Sequence, residues 1–103
     1  MRTRTRRTFE DHVLIALKLK EASQALGEAI SLLRGQARLQ DKLIKLTYKI
    51  NNVKSDCENL MFRDLGEPPE PFIYYSKIEV VREWLDRLEK RKQEDRYDQD
   101  SAV

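Results

Sequence analysis

Apolar residues return along this chain at alternating four- and three-residue intervals, the spacing that lines up one face of an α-helix. The first run is Ile15, Leu19, Ala22, Leu26, Ala29 and Leu33, widened at its start by Val13, Leu14 and Leu17. Its middle is small, with Ala22, Ala25, Gly27 and Ala29 on or beside the stripe, so another helix has room to approach closely. A second run, Leu39, Leu43, Leu46, Ile50, Val53, Cys57 and Leu60, keeps strict four-three alternation and has the form of a coiled-coil seam. Leu33 and Leu39 are six residues apart rather than seven, so the two runs are out of register by one, and Gly35 lies between them. Two architectures fit this slip. In one, the chain turns at Arg34-Gly35-Gln36, with Gly35 as a left-handed C-cap, and closes into an antiparallel hairpin. In the other, a single rod of about 55 residues, roughly 80 Å long, runs from Phe9 to Arg63 and is overwound at the glycine. The hairpin is preferred because it buries both stripes within one chain, although its loop is shorter than most helix–helix connections.

Local signals mark the ends of these elements. Residues 1–7 carry no apolar side chain beyond Met1 and read as a basic flexible arm. Thr8 is placed as an N-cap, with Asp11 positioned to satisfy the first N–H groups. The helical hairpin or coiled-coil region spans 8–63. Residues 64–75 form a Pro-rich and aromatic connector, in which Gly66 caps the preceding helix and Pro68, Pro69 and Pro71 impose an extended path. Phe72, Ile73, Tyr74 and Tyr75 are too apolar for a bare linker and are expected to lie against the long helices. Ser76 and Glu79 have capping-box spacing, with Tyr75 and Val80 in staple positions. A third helix over 76–90 then presents Ile78, Val81, Leu85 and Leu88, with Trp84 beside them, across the helix pair. No apolar residue extends that stripe past Leu88, so 91–103 reads as a charged tail. The fold class is therefore all-α: a long helical hairpin, or one coiled-coil rod, then the connector and a shorter third helix, making a slim three-helix bundle.

Composition sharpens this picture. Charged residues make up 37% of the 103 and hydrophobic ones 40%, a balance that favours an elongated helical protein over a thick globule. A thin core of this size predicts that a second copy or another helical protein covers the remainder. Net charge is only +2, but it is unevenly spread. The 34–54 segment sets Arg34, Arg38, Lys42, Lys45, Lys49 and Lys54 against Asp41 alone, while the first helix is acidic. No apolar run is long enough for a bilayer span, so no membrane partner is expected. The single cysteine fits a reducing, cytoplasmic setting.

Catalytic chemistry has little to stand on. His12 is the only histidine and is expected at a partly exposed helix start, not as a base or metal ligand. Cys57 lies on the seam, where a thiol packs as a small hydrophobe. The three glycines are isolated and form no phosphate loop. The Pro-x-x-Pro pattern at Pro68 and Pro71 lacks a flanking arginine and reads as a stiff connector. No catalytic residue, metal ligand, cofactor or small-molecule substrate is expected.

Two binding functions remain. The first is a non-enzymatic adaptor, scaffold or oligomerisation module that packs through Leu39, Leu43, Leu46, Ile50, Val53 and Leu60 and through Ile78, Val81, Trp84, Leu85 and Leu88. The alternative is a small accessory nucleic-acid-binding protein. Its cations would be the arm residues Arg2, Arg4, Arg6 and Arg7 with the helical row Arg34, Arg38, Lys42, Lys45 and Lys49. The row also has a plainer reading, as a solvated face or one paired with acids of a neighbouring helix. No aromatic side chain interleaves with it, which disfavours base stacking.

Overall fold

The computed structural model describes residues 6–101, with side chains through Glu94, and every regular element in it is helical. Helix α1 spans Phe9–Leu32, α2 spans Ala37–Leu65, a 3-10 turn covers Ile73–Tyr75, and α3 spans Ile78–Ser101. The start of α1 is closed by a reciprocal capping box. The Asp11 N–H donates to the Thr8 hydroxyl at 3.2 Å, and the Thr8 N–H donates to the Asp11 carboxylate at 2.9 Å. That bond to the Thr8 backbone holds the Asp11 carboxyl below the usual carboxylate range.

The chain takes the hairpin, not the rod. After Leu32 it turns through Gly35, whose φ of 85° lies in the left-handed region that an L side chain enters only with strain. The turn is pinned from both sides. The Gln36 N–H donates to the Leu33 carbonyl, and the Gln40 side chain reaches back to the Ile30 carbonyl at 2.8 Å. The second contact gives a further donor to a last-turn carbonyl of α1 that otherwise shares the Leu33 N–H with Ala29. Gly66, at φ 71°, ends α2 with its N–H on the Phe62 carbonyl.

α1 is the central element. It packs against α2, against the 3-10 turn and against α3, while the 3-10 turn also meets α2. The core is Phe9, Val13, Ala16, Met61, Ile73, Tyr74 and Val81, with Ile15, Leu17, Leu19, Cys57, Leu65, Trp84, Leu85 and Leu88 packed on it. Phe9 meets the Trp84 ring edge to face at 5.3 Å, with an interplanar angle of 85°. The buried line of α1 thus runs through Phe9, His12, Val13 and Ala16, between the two faces that meet α2 and α3. The stripe read from sequence is centred to one side of it. A helix with neighbours on two sides buries the wedge between them, and simple periodicity averages that wedge away.

α3 runs antiparallel to α1 and away from the hairpin turn. Its first residues lie beside Lys20 and Gln24, whereas Lys92 pairs with Glu10 at the start of α1. Three expectations change here. α3 stacks on α1 rather than across both hairpin arms. It also continues past Lys90 to Ser101, with charged helix formers sustaining it where the apolar stripe has ended. Finally, the Ser76 capping box does not form. The Ser76 hydroxyl donates to the Phe72 carbonyl at 2.9 Å, and Lys77, not Ser76, supplies the carbonyl that receives the first helical N–H groups. Of the aromatic patch, Ile73 and Tyr74 are buried, while Phe72 and Tyr75 remain exposed. The extents are 65 × 34 × 24 Å: a three-layered end and a two-helix end.

Candidate functional site

The leucine-rich seam of α2, which runs from the two-helix end toward the core, is only half covered. Leu43, Ile50, Cys57 and Leu60 are partly buried, but Leu39, Leu46 and Val53 are 45%, 44% and 45% exposed. These last three follow one another at seven-residue spacing and form a single line along α2. Leu32 and Tyr48, at the same end, are also exposed. The apolar residues of α3 have a different fate. Val81 is fully buried, Trp84, Leu85 and Leu88 are half-buried on the molecule's own core, and Ile78 is partly buried, with Arg87 stacked on the Trp84 ring at 5.5 Å.

The cations of α2 lie along one flank of the exposed line. At 100° per residue, Arg38, Lys42, Lys45 and Lys49 centre about 70° around the helix from Leu39, Leu46 and Val53. All four are exposed, as is Arg34 in the turn. Among the described residues only Lys45 of this row forms an ion pair, with Asp41 of its own helix at 3.1 Å. Acids of α1 and α3 do not neutralise the row there. Arg6 is exposed, and Arg7 reaches Asp64 at 3.5 Å. Arg2 and Arg4 lie outside the described residues.

One polar constellation escaped sequence reasoning. His12 is not a rim residue; it has no exposed surface. Its Nδ1 lies 2.6 Å from the Tyr74 hydroxyl and its Nε2 lies 2.9 Å from Asp64 Oδ2. A neutral imidazole satisfies both partners when Tyr74 donates to Nδ1 and Nε2–H donates to the carboxylate. The bond from His12, with Arg7 adding to it, keeps the Asp64 carboxyl below the usual carboxylate range. Burial pushes the Tyr74 phenol up, and burial likewise raises the Cys57 thiol. The chain of bonds therefore ties α1, the last turn of α2 and the 3-10 turn together. Its Tyr–His–Asp order resembles a nucleophilic relay, but the hydroxyl and imidazole are sealed from solvent.

No cluster of three potential metal-ligating side chains exists among the described residues, and no described helix is long and apolar enough to cross a membrane. No family model, curated protein or solved structure matches the chain.

Proposed function

We propose that this chain is a non-enzymatic helical interaction protein that receives a partner helix on the line Leu39, Leu46 and Val53 of α2. The supporting observation is that these seam residues stay nearly half exposed, at an end of the hairpin from which α3 runs away. A contiguous apolar strip beside a polar rim is the usual form of an interaction surface. A helix laid on it would extend the four-three spacing of α2 into packing across the interface.

The cationic flank sets the partner's chemistry. Two copies paired antiparallel along this line would bring each Arg38–Lys49 row against its counterpart, since a two-fold axis faces like flanks. An amphipathic helix with Asp or Glu beside its apolar stripe meets the same flank with opposite charge. The proposed occupant is such an acidic helix on another protein. The sealed His12–Tyr74–Asp64 chain supports a structural role over a catalytic one, and the single thiol supports a reducing, cytoplasmic setting.

The test uses fluorescently labelled helical peptides of about three heptads, identical in their leucine stripe and flanked by Glu, Gln or Lys. The full chain is expected to bind the Glu peptide at least about tenfold more tightly than the Lys peptide by fluorescence anisotropy. Leu39→Ser, Leu46→Ser and Val53→Ser together are expected to abolish binding without loss of helicity. Failure of all three peptides to bind overturns helix docking. Equal affinities overturn the acidic partner alone, and a dimer in sedimentation that the triple variant disrupts replaces it with a second copy.

The exposed cation row also favours a second reading, in which the protein binds nucleic acid through phosphate contacts. That reading requires duplex DNA or RNA affinity that falls steeply with salt and falls further when Arg38, Lys42, Lys45 and Lys49 become Gln.

A further inference from the structure

The antiparallel pair of α1 and α2 has two broad faces, and α3 meets one of them. On that face Lys20 and Gln24 of α1 and Lys54 of α2 line a cleft with the first residues of α3. At 100° per residue, the opposite face follows from the order of side chains around each helix. From Lys20 on α1, His12 stands about 80° away and is bonded to Asp64 of α2, and Ala22 stands about 80° further on. From Lys54 on α2, the partly buried Leu43 and Ile50 stand within about 40°, and Leu46 at about 80°. On both helices the path away from α3 passes through the residues that join the pair. Ala22 and Leu46 therefore border one groove, on the face opposite α3. Seven-residue steps to Ala29 on α1, and to Leu39 and Val53 on α2, extend its two walls.

The walls differ in height and in charge. On the α2 side stand the exposed Leu39, Leu46 and Val53, with the Arg38–Lys49 row outside them. The α1 side is low: Ala22 is exposed, Ala29 is partly buried, and neither side chain reaches far from the backbone. That wall is also uncharged at Ala22 and Ala29. Lys18, one turn nearer the start of α1, already pairs with Glu21 at 3.7 Å. Alanines let a helix approach α1 closely while the larger side chains of α2 interdigitate with its apolar stripe. Cations on one side only can reward acid on one side only.

We infer that the partner helix sits in this groove, against α1 as well as α2, and carries its acid on a single flank. The inference rests on the acidic-helix docking proposed above and adds a second wall to it. The occupant is an amphipathic helix of another protein, with an apolar stripe, Asp or Glu along the flank that meets Arg38–Lys49, and an uncharged flank over Ala22 and Ala29. A second copy does not fit this description, because its own α2 would bring the same cations to the row.

The test is an isotope-filtered NOE measurement on the full chain bound to the Glu-flanked peptide. Contacts are expected from the peptide to the Ala22 and Ala29 methyls of α1 as well as to the Leu39, Leu46 and Val53 methyls of α2. Ala22→Trp with Ala29→Trp is expected to weaken binding at least about tenfold with helicity retained. Peptides with Glu on one flank and Gln on the other are expected to bind within about twofold of the doubly acidic peptide, whichever flank is acidic, because a helix can choose its direction to meet the row. Contacts confined to α2, or full affinity in the tryptophan variant, overturn the groove seat while leaving docking on α2 intact. A tenfold loss with both singly acidic peptides overturns the single flank. A peptide that does not bind the unsubstituted protein at all overturns this inference together with the reading beneath it.

Discussion

His12 Nε2 lies 2.9 Å from Asp64 Oδ2, so a side chain without exposed surface joins the first turn of α1 to the last turn of α2. On its other side the same ring is hydrogen-bonded to the Tyr74 hydroxyl at 2.6 Å. Removing that hydroxyl leaves Nδ1 unpaired in the interior. Tyr74→Phe is expected to cost about 1–3 kcal/mol in urea unfolding while far-UV helicity stays intact. A variant as stable as the parent would show that the ring has another acceptor or donor within reach.

Acid should weaken the protein through the same contact. The folded-state pKa values of Asp64 and Asp11 lie below the ordinary 3.8 of the carboxyl group. Each therefore contributes stability that is fully present above pH 3.8 and is lost as pH falls through the folded value. The urea midpoint should drop below that pH, and Asp64→Asn should flatten the acid limb. An unchanged limb in that variant would remove Asp64 from the account.

Core and seam should respond differently to truncation. Met61 is fully buried at the junction of α1, α2 and the 3-10 turn, and Met61→Ala is expected to cost about 2–5 kcal/mol. Leu46, at 44% exposed, has much less to lose. Leu46→Ala should stay within about 0.5–1 kcal/mol of the parent in the same chemical denaturation series. A large loss there would mean that the exposed line already has an occupant in solution.

The hairpin turn has its own weak point. A Cβ at Gly35 would meet no atom within 4 Å, so crowding is not the obstacle; the φ of 85° is. Gly35→Ala should cost about 1–2 kcal/mol through backbone strain alone. Gly35→Asn should cost less, because asparagine tolerates this region better.

Cys57 should react slowly. Burial against the core raises its thiol, so less thiolate is present at a given pH than for a free cysteine. Labelling by iodoacetamide is expected to be slower than for a cysteine-containing peptide and to reach the peptide's rate in denaturant.

Much of the architecture was readable from local pattern. The six-residue step from Leu33 to Leu39 and the glycine inside it located the break, which fitted a turn or an overwound rod alike, and the Thr8–Asp11 pair marked the start of α1. What escaped depended on residues distant in sequence. His12 looks like a surface residue because its partners stand 52 and 62 positions away, and nothing near it announces them. Ser76 and Glu79 have the spacing of a capping box, but the Phe72 carbonyl competes for the same hydroxyl and wins. The length of α3 was hidden because no apolar stripe continues in the sequence past Leu88 to announce it. The half-exposed line at Leu39, Leu46 and Val53 could be named from periodicity, whereas its lack of cover followed only from the direction in which α3 leaves.

That direction has a practical corollary. Since α3 returns along α1 and Lys92 meets Glu10, both ends of the ordered helices emerge at one pole, with the Gly35 bend at the other. A surface tether, affinity tag or dye attached at either end would stand clear of the bend and leave the leucine row free to receive a visitor.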